Sequence, residues 1–414
     1  MELAAQKLWN RNFSLLILVQ VFALFGNSIL SFVLPLYILY ISGSPALFGA
    51  VLSLSFIPLA LMSPIGGVIA DRGKKQRIMF WLDAATTVLI VLFIAAARGF
   101  SGAIVPIIIA KLIALNVIQG IYMPTTMAGI PFLVPADKLV PANAAANMVF
   151  SLSNTIGPAI GGILFGLFGL FPILVISVVV FAVTAIIDLF IRIPYKKQKP
   201  AGSAMRMIKS DLSECARFGM KEKPVLGKVA LILFFFGTPS VAFMIVGLPV
   251  LVTQTLGKET GMLGISQGIM MGGGLLGGFL AGALEKKLTI KNAHLVLFAC
   301  SLNTVPIGLV FLLNAPVFAA YVIITLCGAV VMLTTQIVNI QVLAFVQEQT
   351  PPELVGKIIA VVMALVIGAY PVGQLLFGVL FEQFADLPHL VIFAAAVMSA
   401  SVAIGSRKHF KGIA

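Results

Sequence analysis

Charged residues are scarce in this sequence, since Asp, Glu, Lys and Arg together make up only 10% of its 414 residues. A typical soluble domain is about 25% charged, so this composition excludes an ordinary cytosolic enzyme, a disordered chain and a module that binds nucleic acid. The three cysteines are too few and too scattered for a disulfide framework. The sequence also lacks a Walker loop, a His-x-x-x-His metal pair and a Ser, His and Asp set. We therefore expect no enzymatic activity, no metal and no cofactor.

Apolar residues, by contrast, make up 60% of the chain, and its mean hydropathy is +1.11. A bilayer core about 30 Å thick needs roughly 20 apolar residues per helix, so twelve helices would need about 240, close to the number present. We therefore predict an all-α membrane protein with twelve transmembrane helices. The apolar runs lie at residues 13–40, 45–70, 78–97, 102–124, 143–167, 170–191, 228–253, 261–284, 292–313, 315–340, 356–380 and 387–405.

The basic residues give an independent test of this division. If the N-terminus lies inside, 24 of the 27 Lys and Arg residues lie in the inner segments or, for Lys228 and Lys357, at the inner end of a span. The outer loops then contain only Arg98 and Lys258, and Lys111 lies within a span. Because basic residues resist translocation, this distribution predicts a multi-pass protein of the cell membrane with both termini in the cytoplasm.

The two halves of the chain have related sequences. Pro135–Leu139 precedes span five and Pro352–Lys357 precedes span eleven, and the two spans contain Pro158 and Pro371 respectively. Such duplication is common in transporters, whose substrate site lies between the halves near the membrane midplane. The pattern therefore predicts two pseudo-symmetric six-helix bundles.

A polar break separates these predicted bundles. We place the N-terminal bundle at residues 1–191, a cytoplasmic linker at 192–227 and the C-terminal bundle at 228–414. The linker begins with a basic, turn-rich stretch at 195–203. Residues 205–221 combine mixed charge with apolar residues at helical spacing, which predicts a short amphipathic helix on the inner membrane surface.

The loop between spans two and three has the pattern Gly-x-x-x-Asp-Arg at a helix end. Gly67 should let a neighbouring helix approach closely. Asp71 can accept hydrogen bonds from the N-terminus of another helix, where the helix dipole favours a carboxylate. Arg72, Lys75 and Arg77 can pair with acidic groups or lipid headgroups. We interpret these five residues as a conformational latch, with a generic positive-inside loop as the alternative.

This loop resembles the signature of the major facilitator superfamily, whose usual form is Gly-x-x-x-Asp-Arg-x-Gly-Arg-Arg; here Lys74 replaces the second glycine. Residues 72–77 look more like the third group of drug:proton antiporters, which includes macrolide and siderophore exporters. The resemblance covers the whole chain and includes Arg11–Phe13 before span one and Asp211–Phe218 before span seven. It implies the major facilitator fold, transport by alternating access, and bracing of the outward-open state by Asp71 against span eleven.

Span five has a proline between small residues that permit tight helix crossing. These residues are Gly157, Pro158, Gly161 and Gly162. They resemble the antiporter signature of the same superfamily, with Ser153 in place of an earlier glycine; plain helix packing is the alternative. In span eight, a packing ridge is predicted from glycines at four-residue spacing, at positions 274, 278 and 282.

Two ionisable residues lie deep enough in the spans to be energetically costly. Lys111 in span four could bind an anionic or carbonyl-bearing substrate or change protonation during transport, or it could be satisfied by carbonyls. Asp83 in span three is a candidate proton carrier or a structural partner of the latch loop. Asn116 and Gln119 continue the polar stripe from Lys111, and Asp188 at the end of span six is expected at the membrane interface.

Asn27, Ser240 and Gln336 are further candidates for a substrate cavity, with interhelical packing as the alternative for each. The expected function is that of a secondary active transporter that exports a bulky amphiphilic or drug-like small molecule by proton-coupled antiport. Siderophore export and lysophospholipid flipping are rival transport activities. A membrane receptor or scaffold that does not transport is the rival from another class. We expect a monomer whose partners are the small-molecule substrate, protons and membrane lipid.

Overall fold

Twelve long helices make up most of the described chain. The computed structural model describes residues 8–99, 101–194, 223–283, 290–351 and 354–411, and these ranges contain no β-strand. All twelve helices are long and apolar enough to cross a membrane, which confirms the prediction of an all-α protein with twelve spans. They are α1 (Arg11–Ser42), α2 (Pro45–Arg72), α3 (Lys75–Gly99), α4 (Ile104–Gly129), α5 (Leu139–Phe168), α6 (Leu170–Asp188), α7 (Pro224–Thr255), α8 (Thr260–Ala283), α9 (Ile290–Leu312), α10 (Val317–Gln349), α11 (Val355–Gln383) and α12 (Pro388–Lys411).

Length and composition explain why these segments are helical. The shortest, α6, has 19 residues, which corresponds to about 28 Å at 1.5 Å per residue and so nearly matches a bilayer core. A lipid core offers no water to the peptide groups, so a spanning segment must satisfy its backbone hydrogen bonds internally. An α-helix does so, and the largely apolar circumference of these segments then suits either lipid or a helix neighbour.

The described helices fall into two compact units. The first contains α1 up to Ile41, α2 from Leu54 onward, and α3 to α6. The second contains Ser42–Ser53 and α7 to α12. The first turns of α2 therefore belong with the second unit. The predicted linker at 192–227 stays a prediction, and the amphipathic helix predicted at 205–221 lies outside the described residues.

Two of the shortest turns between helices use glycines in the left-handed backbone region. Gly43, between α1 and α2, has a φ of 64°, and Gly169, between α5 and α6, has a φ of 72°. Gly169 also donates its N–H to the carbonyl of Phe165 at 2.9 Å, which closes the end of α5. Since side chains strain this conformation, glycine allows α6 to begin one residue after α5 ends.

Helix α7 is irregular because two of its turns are π-helical. These turns cover Thr238–Ala242 and Val250–Thr255. Pro239 and Pro249 remove backbone donors, which disrupts the regular α-helical pattern. The hydroxyl of Thr253 donates to the carbonyl of Pro249 at 2.7 Å, which returns a hydrogen bond to this region.

Close packing of α8 against α10 depends on two glycines. A Cβ built on Gly273 would lie 2.9 Å from the Cα of Ala329, and a Cβ on Gly277 would lie 2.9 Å from the Cα of Leu333. The ridge thus lies one residue earlier than the predicted one. A Cβ on Gly274 or Gly278 would make only loose contacts at 3.9 Å, and a Cβ on Gly282 would have no neighbour within 4 Å.

The start of α2 also packs closely on α11 within the second unit. A Cβ built on Gly378 would lie 3.1 Å from the Cα of Gly49. The carboxylate of Glu382 accepts the N–H of Ala46 at 3.0 Å and a hydrogen bond from the hydroxyl of Ser44. Because exposed N–H groups and the helix dipole favour an anion at a helix N-terminus, Glu382 caps α2 from a neighbouring helix.

The glycine ridge of α8 can be tested with alanine substitutions. Gly277→Ala should destabilise the protein by about 1–3 kcal/mol, because the new methyl group would overlap the backbone of α10. Gly272→Ala is the matched control, since a Cβ there has no neighbour within 4 Å. Thermal unfolding in detergent measures both variants. Equal stability of the two variants would contradict the ridge as described.

Candidate functional site

The predicted latch loop is a tight connection between α2 and α3. Gly73 donates its N–H to the carbonyl of Ile69 at 2.9 Å and so closes the end of α2. Arg72 and Arg77 have exposed side chains. Lys75 is buried instead, with its Nζ 4.8 Å from the centre of the Phe132 ring. This cation–π contact fastens the start of α3 to the turn that follows α4.

The close helix approach expected at Gly67 lies at the neighbouring Gly66. A Cβ on Gly67 would have no neighbour within 4 Å. A Cβ on Gly66 would lie 2.7 Å from the Cα of Ile121 and would also overlap the carbonyl oxygen of Gly120. The glycine pair therefore brings α2 against α4. The side chain of Asp71 lies outside what the structure describes, and its role in a latch stays a prediction.

The glycines of α5 pack against α1. A Cβ on Gly157 would lie 2.5 Å from the Oγ of Ser28, and a Cβ on Gly161 would lie 3.1 Å from a methyl group of Val33. Pro158 lies between them within the continuous helix, and Gly162 lies buried beside them. These residues bring two helices of the first unit together, whereas their link to antiport stays a prediction.

Lys111 is buried in α4 without a hydrogen-bond partner for its Nζ among the described residues. Its side chain is 4% exposed, and the Nζ lies 4.4 Å from the centre of the Phe93 ring in α3. A desolvated ammonium gains electrostatic energy from a ring face, but the ring satisfies none of its three donors. Lys111 thus has donors available for an acceptor brought by a ligand.

Asp83 lies about 15 Å along α3 from Phe93, as expected from ten residues at 1.5 Å each, so Lys111 does not pair with it. Asp83 is buried, and its carboxyl group interacts with the side chains of Thr184 and Asp188 on α6. The interfacial position expected for Asp188 stays a prediction; the residue ends α6, and its side chain is fully buried. Its carboxyl group faces α3 because α3 and α6 pack against each other.

Tyr122 of α4 completes this cluster. It interacts electrostatically with both Asp83 and Asp188, it is buried, and its hydroxyl has no hydrogen-bond partner among the described residues. Neither Tyr122 nor Thr184 was predicted from the sequence as a site residue. The sequence did contain one sign of a polar site on α6: Thr184 and Asp188 lie one helical turn apart in an otherwise apolar run.

The remaining candidates lie on α1 and α4 of the first unit and on α7 and α10 of the second. Asn116 donates its side-chain N–H to the carbonyl of Leu112 at 2.9 Å, and Gln119 is half-buried on the same helix. Asn27 is half-buried on α1. Ser240 is buried in α7 and donates to the carbonyl of Phe236, and Gln336 is half-buried on α10.

A small cleft in the second unit is lined by further polar groups. Thr335, Asn339 and Tyr370 line it together with apolar residues of α7, α9 and α11. The hydroxyl of Thr335 is buried and unpaired among the described residues. An apolar cleft with a few polar groups is the common form of a small-molecule site.

Comparison with known sequences gives a consistent family. The sequence model of the Major Facilitator Superfamily matches residues 16–369. Macrolide efflux protein A of Streptococcus pyogenes is 21% identical over 400 residues, which cover 94% of this chain and 94% of that protein. Multidrug efflux pump Tap of Mycobacterium tuberculosis is 23% identical over 370 residues, which cover 85% of this chain and 82% of the pump.

Solved structures share the fold. The nucleoside transporter NupG superposes with a TM-score of 0.72 at 13% identity, covering 97% of this chain and all of that one. A bacterial homologue of the iron transporter ferroportin, in an inward-facing state, superposes with a TM-score of 0.68 at 16% identity, covering 95% and 98%. At these identities the likeness concerns the fold alone.

The environment of Lys111 can be tested through stability. Lys111→Met should raise the stability of the folded protein by about 1–3 kcal/mol, because it removes a buried group whose donors are unsatisfied. Lys138→Met is the control, since Lys138 is exposed. Thermal unfolding of both variants in the same detergent measures the difference. A less stable Lys111→Met variant would mean that the ammonium has a stabilising partner.

Proposed function

The chain belongs to the major facilitator superfamily, and on that premise we propose that it exports a bulky amphiphilic or drug-like small molecule in exchange for protons. The observation that carries this proposal is the relationship to efflux proteins over almost the whole chain. Both the macrolide efflux protein and the multidrug pump align from one half to the other. The aligned region thus covers helices of both halves of the chain and is not limited to one motif.

Buried polar groups in the first unit support a transport role. An ionisable residue inside a membrane helix is costly, by about 2.5–3.5 kcal/mol on insertion scales, and usually has a function. Lys111 has donors that no described residue satisfies. We assign it to substrate binding, because a carbonyl or anionic group of the substrate would supply the missing acceptors. Asn116 and Gln119 continue this polar stripe along α4.

Protons can supply the energy for such export. Moving one charge through 100 mV releases about 2.3 kcal/mol, which supports roughly 50-fold accumulation of an uncharged substrate. One proton per cycle is therefore sufficient, and no nucleotide hydrolysis is required. Alternating access then means that the path opens to one side of the membrane at a time.

The distribution of basic residues supports a location in the cell membrane with both termini in the cytoplasm. In this orientation the loop from Gly67 to Arg77 lies on the cytoplasmic side. We assign it the role of a latch that helps to seal this side during the cycle, with Asp71 as the group that contacts a helix N-terminus.

Reconstituted vesicles with an imposed proton gradient test the proposed function. Vesicles are screened with cationic dyes, macrolides, a siderophore and a fluorescent lysophospholipid. We expect gradient-dependent movement of at least one dye or macrolide, abolished by a protonophore. Movement of the siderophore or lysophospholipid alone would assign one of those substrates instead. Movement of none of these compounds would favour a receptor or scaffold and contradict the proposal.

The latch role of Asp71 makes a separate prediction. Asp71→Asn should reduce export about tenfold, equivalent to roughly 1.4 kcal/mol, which lies within the range of carboxylate–helix interactions. Asp137→Asn is the matched control, because Asp137 is exposed and lies in another loop of the same unit. Initial export rates are normalised to the amount of protein in the membrane. Undiminished export by Asp71→Asn would remove the latch role.

A further inference from the structure

Asp83 and Asp188 form a carboxyl pair inside the first unit. They are 2% and 0% exposed, and their side chains interact directly across the contact between α3 and α6. One oxygen of Asp83 and both oxygens of Asp188 are buried without a hydrogen-bond donor among the described residues. Two carboxylates in contact at such a buried position repel each other, and neither can be stabilised by water.

The neighbouring hydroxyl groups do not supply the missing donors. The single hydroxyl proton of Thr184 can be donated either to Asp83 or to the carbonyl of Phe181, 2.9 Å away, so it serves one acceptor at a time. Tyr122 interacts electrostatically with both carboxyl groups, but its hydroxyl forms no hydrogen bond with either of them. The cluster thus has an excess of acceptors.

Among the described residues, the basic side chains of the surrounding helices are exposed or lie against aromatic rings. The partner helices α4, α5 and α6 carry three titratable side chains: Lys111 lies at Phe93, Tyr122 faces the pair, and Asp188 belongs to it. Helix α5 contains no titratable residue. On α3 itself, Lys75 lies against Phe132, Arg98 lies over the ring of Phe171, and Arg77 is exposed.

Helix α1 reaches α6 near this cluster, where a Cβ on Gly26 would lie 3.2 Å from the ring of Phe181. The titratable residues of α1 are Arg11, Tyr37 and Tyr40. Tyr37 and Tyr40 are at least eleven residues from Gly26, which corresponds to about 16 Å along the helix. Arg11 lies nearer to the end of α6, because the side chain of its neighbour Asn12 accepts the backbone N–H of Arg192 at 3.1 Å. The side chains of Arg11 and Arg192 are exposed, so neither is a buried counter-charge for the pair.

We propose that Asp83 and Asp188 together bind one proton, which one carboxyl group holds covalently and donates in a hydrogen bond to the other. The bound proton removes one of the two negative charges and provides the donor that the surrounding residues do not. Proton binding by the pair does not depend on the proposed function. The further step, in which this proton is the coupling ion for export, rests on the proposed function.

The position of Asp188 gives the proton a route to water. Asp188 is the last residue of α6, and the side chain of Gln76 at the start of α3 donates to the carbonyl of the next residue, Leu189, at 3.2 Å. Asp188 thus lies at a helix end, and Asp83 lies eight residues, or about 12 Å, from the start of α3. Separation of α3 and α6 by a small distance at these ends would expose the pair and release its proton.

Infrared difference spectroscopy tests proton binding without any transport substrate. Purified full-length protein in lipid nanodiscs is compared at acid and alkaline pH, and the carbonyl stretch of a buried carboxylic acid is recorded. We expect this band in the wild type and in Asp137→Asn, and its loss in both Asp83→Asn and Asp188→Asn. The asparagine side chain retains the shape of the aspartate and brings its own donor, so the variants should remain folded.

Two results would overturn the shared site. One is an unchanged band in both pair variants, and the other is loss of the band in one variant with full retention in the other. The spectrum of the wild-type protein is a further test. If it shows no band of a buried carboxylic acid at acid pH, the pair does not bind a proton. The latter measurement does not depend on whether a variant folds.

Transport then separates coupling from proton binding. With a substrate that the wild type moves, Asp188→Asn should lose gradient-driven accumulation, down to equal concentrations on the two sides, but should retain exchange of labelled for unlabelled substrate. Gradient-driven accumulation equal to that of Asp137→Asn would show that the pair does not couple transport. If the wild type moves no substrate, the proposed function fails while the infrared result still decides the proton site.

Discussion

The absence of hydrogen-bonding solvent in the lipid core is the constraint on which the rest of this structure depends. Because peptide groups in the core must pair internally, all twelve spans are helices, and irregular turns such as those in α7 have local hydroxyl donors. The same constraint gives weight to the few polar side chains that have no partner. Lys111 and the pair of Asp83 and Asp188 are costly features that packing alone does not explain.

Much of the fold could be predicted because apolar length is a strong signal. The number of spans and their approximate bounds followed from composition and from the distribution of basic residues. The contact faces of the glycines were harder to predict. On an apolar helix every face suits either lipid or protein, so nothing in the sequence distinguishes Gly66 from Gly67, or Gly273 and Gly277 from their neighbours.

The candidate site was predictable only in part for a related reason. Asp83 and Lys111 stand out as charges within apolar runs, but their surroundings depend on which helices pack together. The partner of Asp83 is more than a hundred residues away, at a helix end that resembles a membrane surface in the sequence. Likewise, Glu382 gives no local sign that it caps the start of α2. Short-range patterns identify single residues, whereas pairs across helices need the three-dimensional fold.

The central claim is that movement of substrate and movement of protons are obligatorily linked, and linkage must act in both directions. The most direct measurement uses vesicles loaded with a transported compound and diluted into compound-free buffer, with no imposed proton gradient and a pH-sensitive dye inside. Proton-coupled antiport predicts acidification of the interior as the compound leaves, and none with protein-free vesicles. Exit of the compound through the protein without any change of internal pH would contradict it.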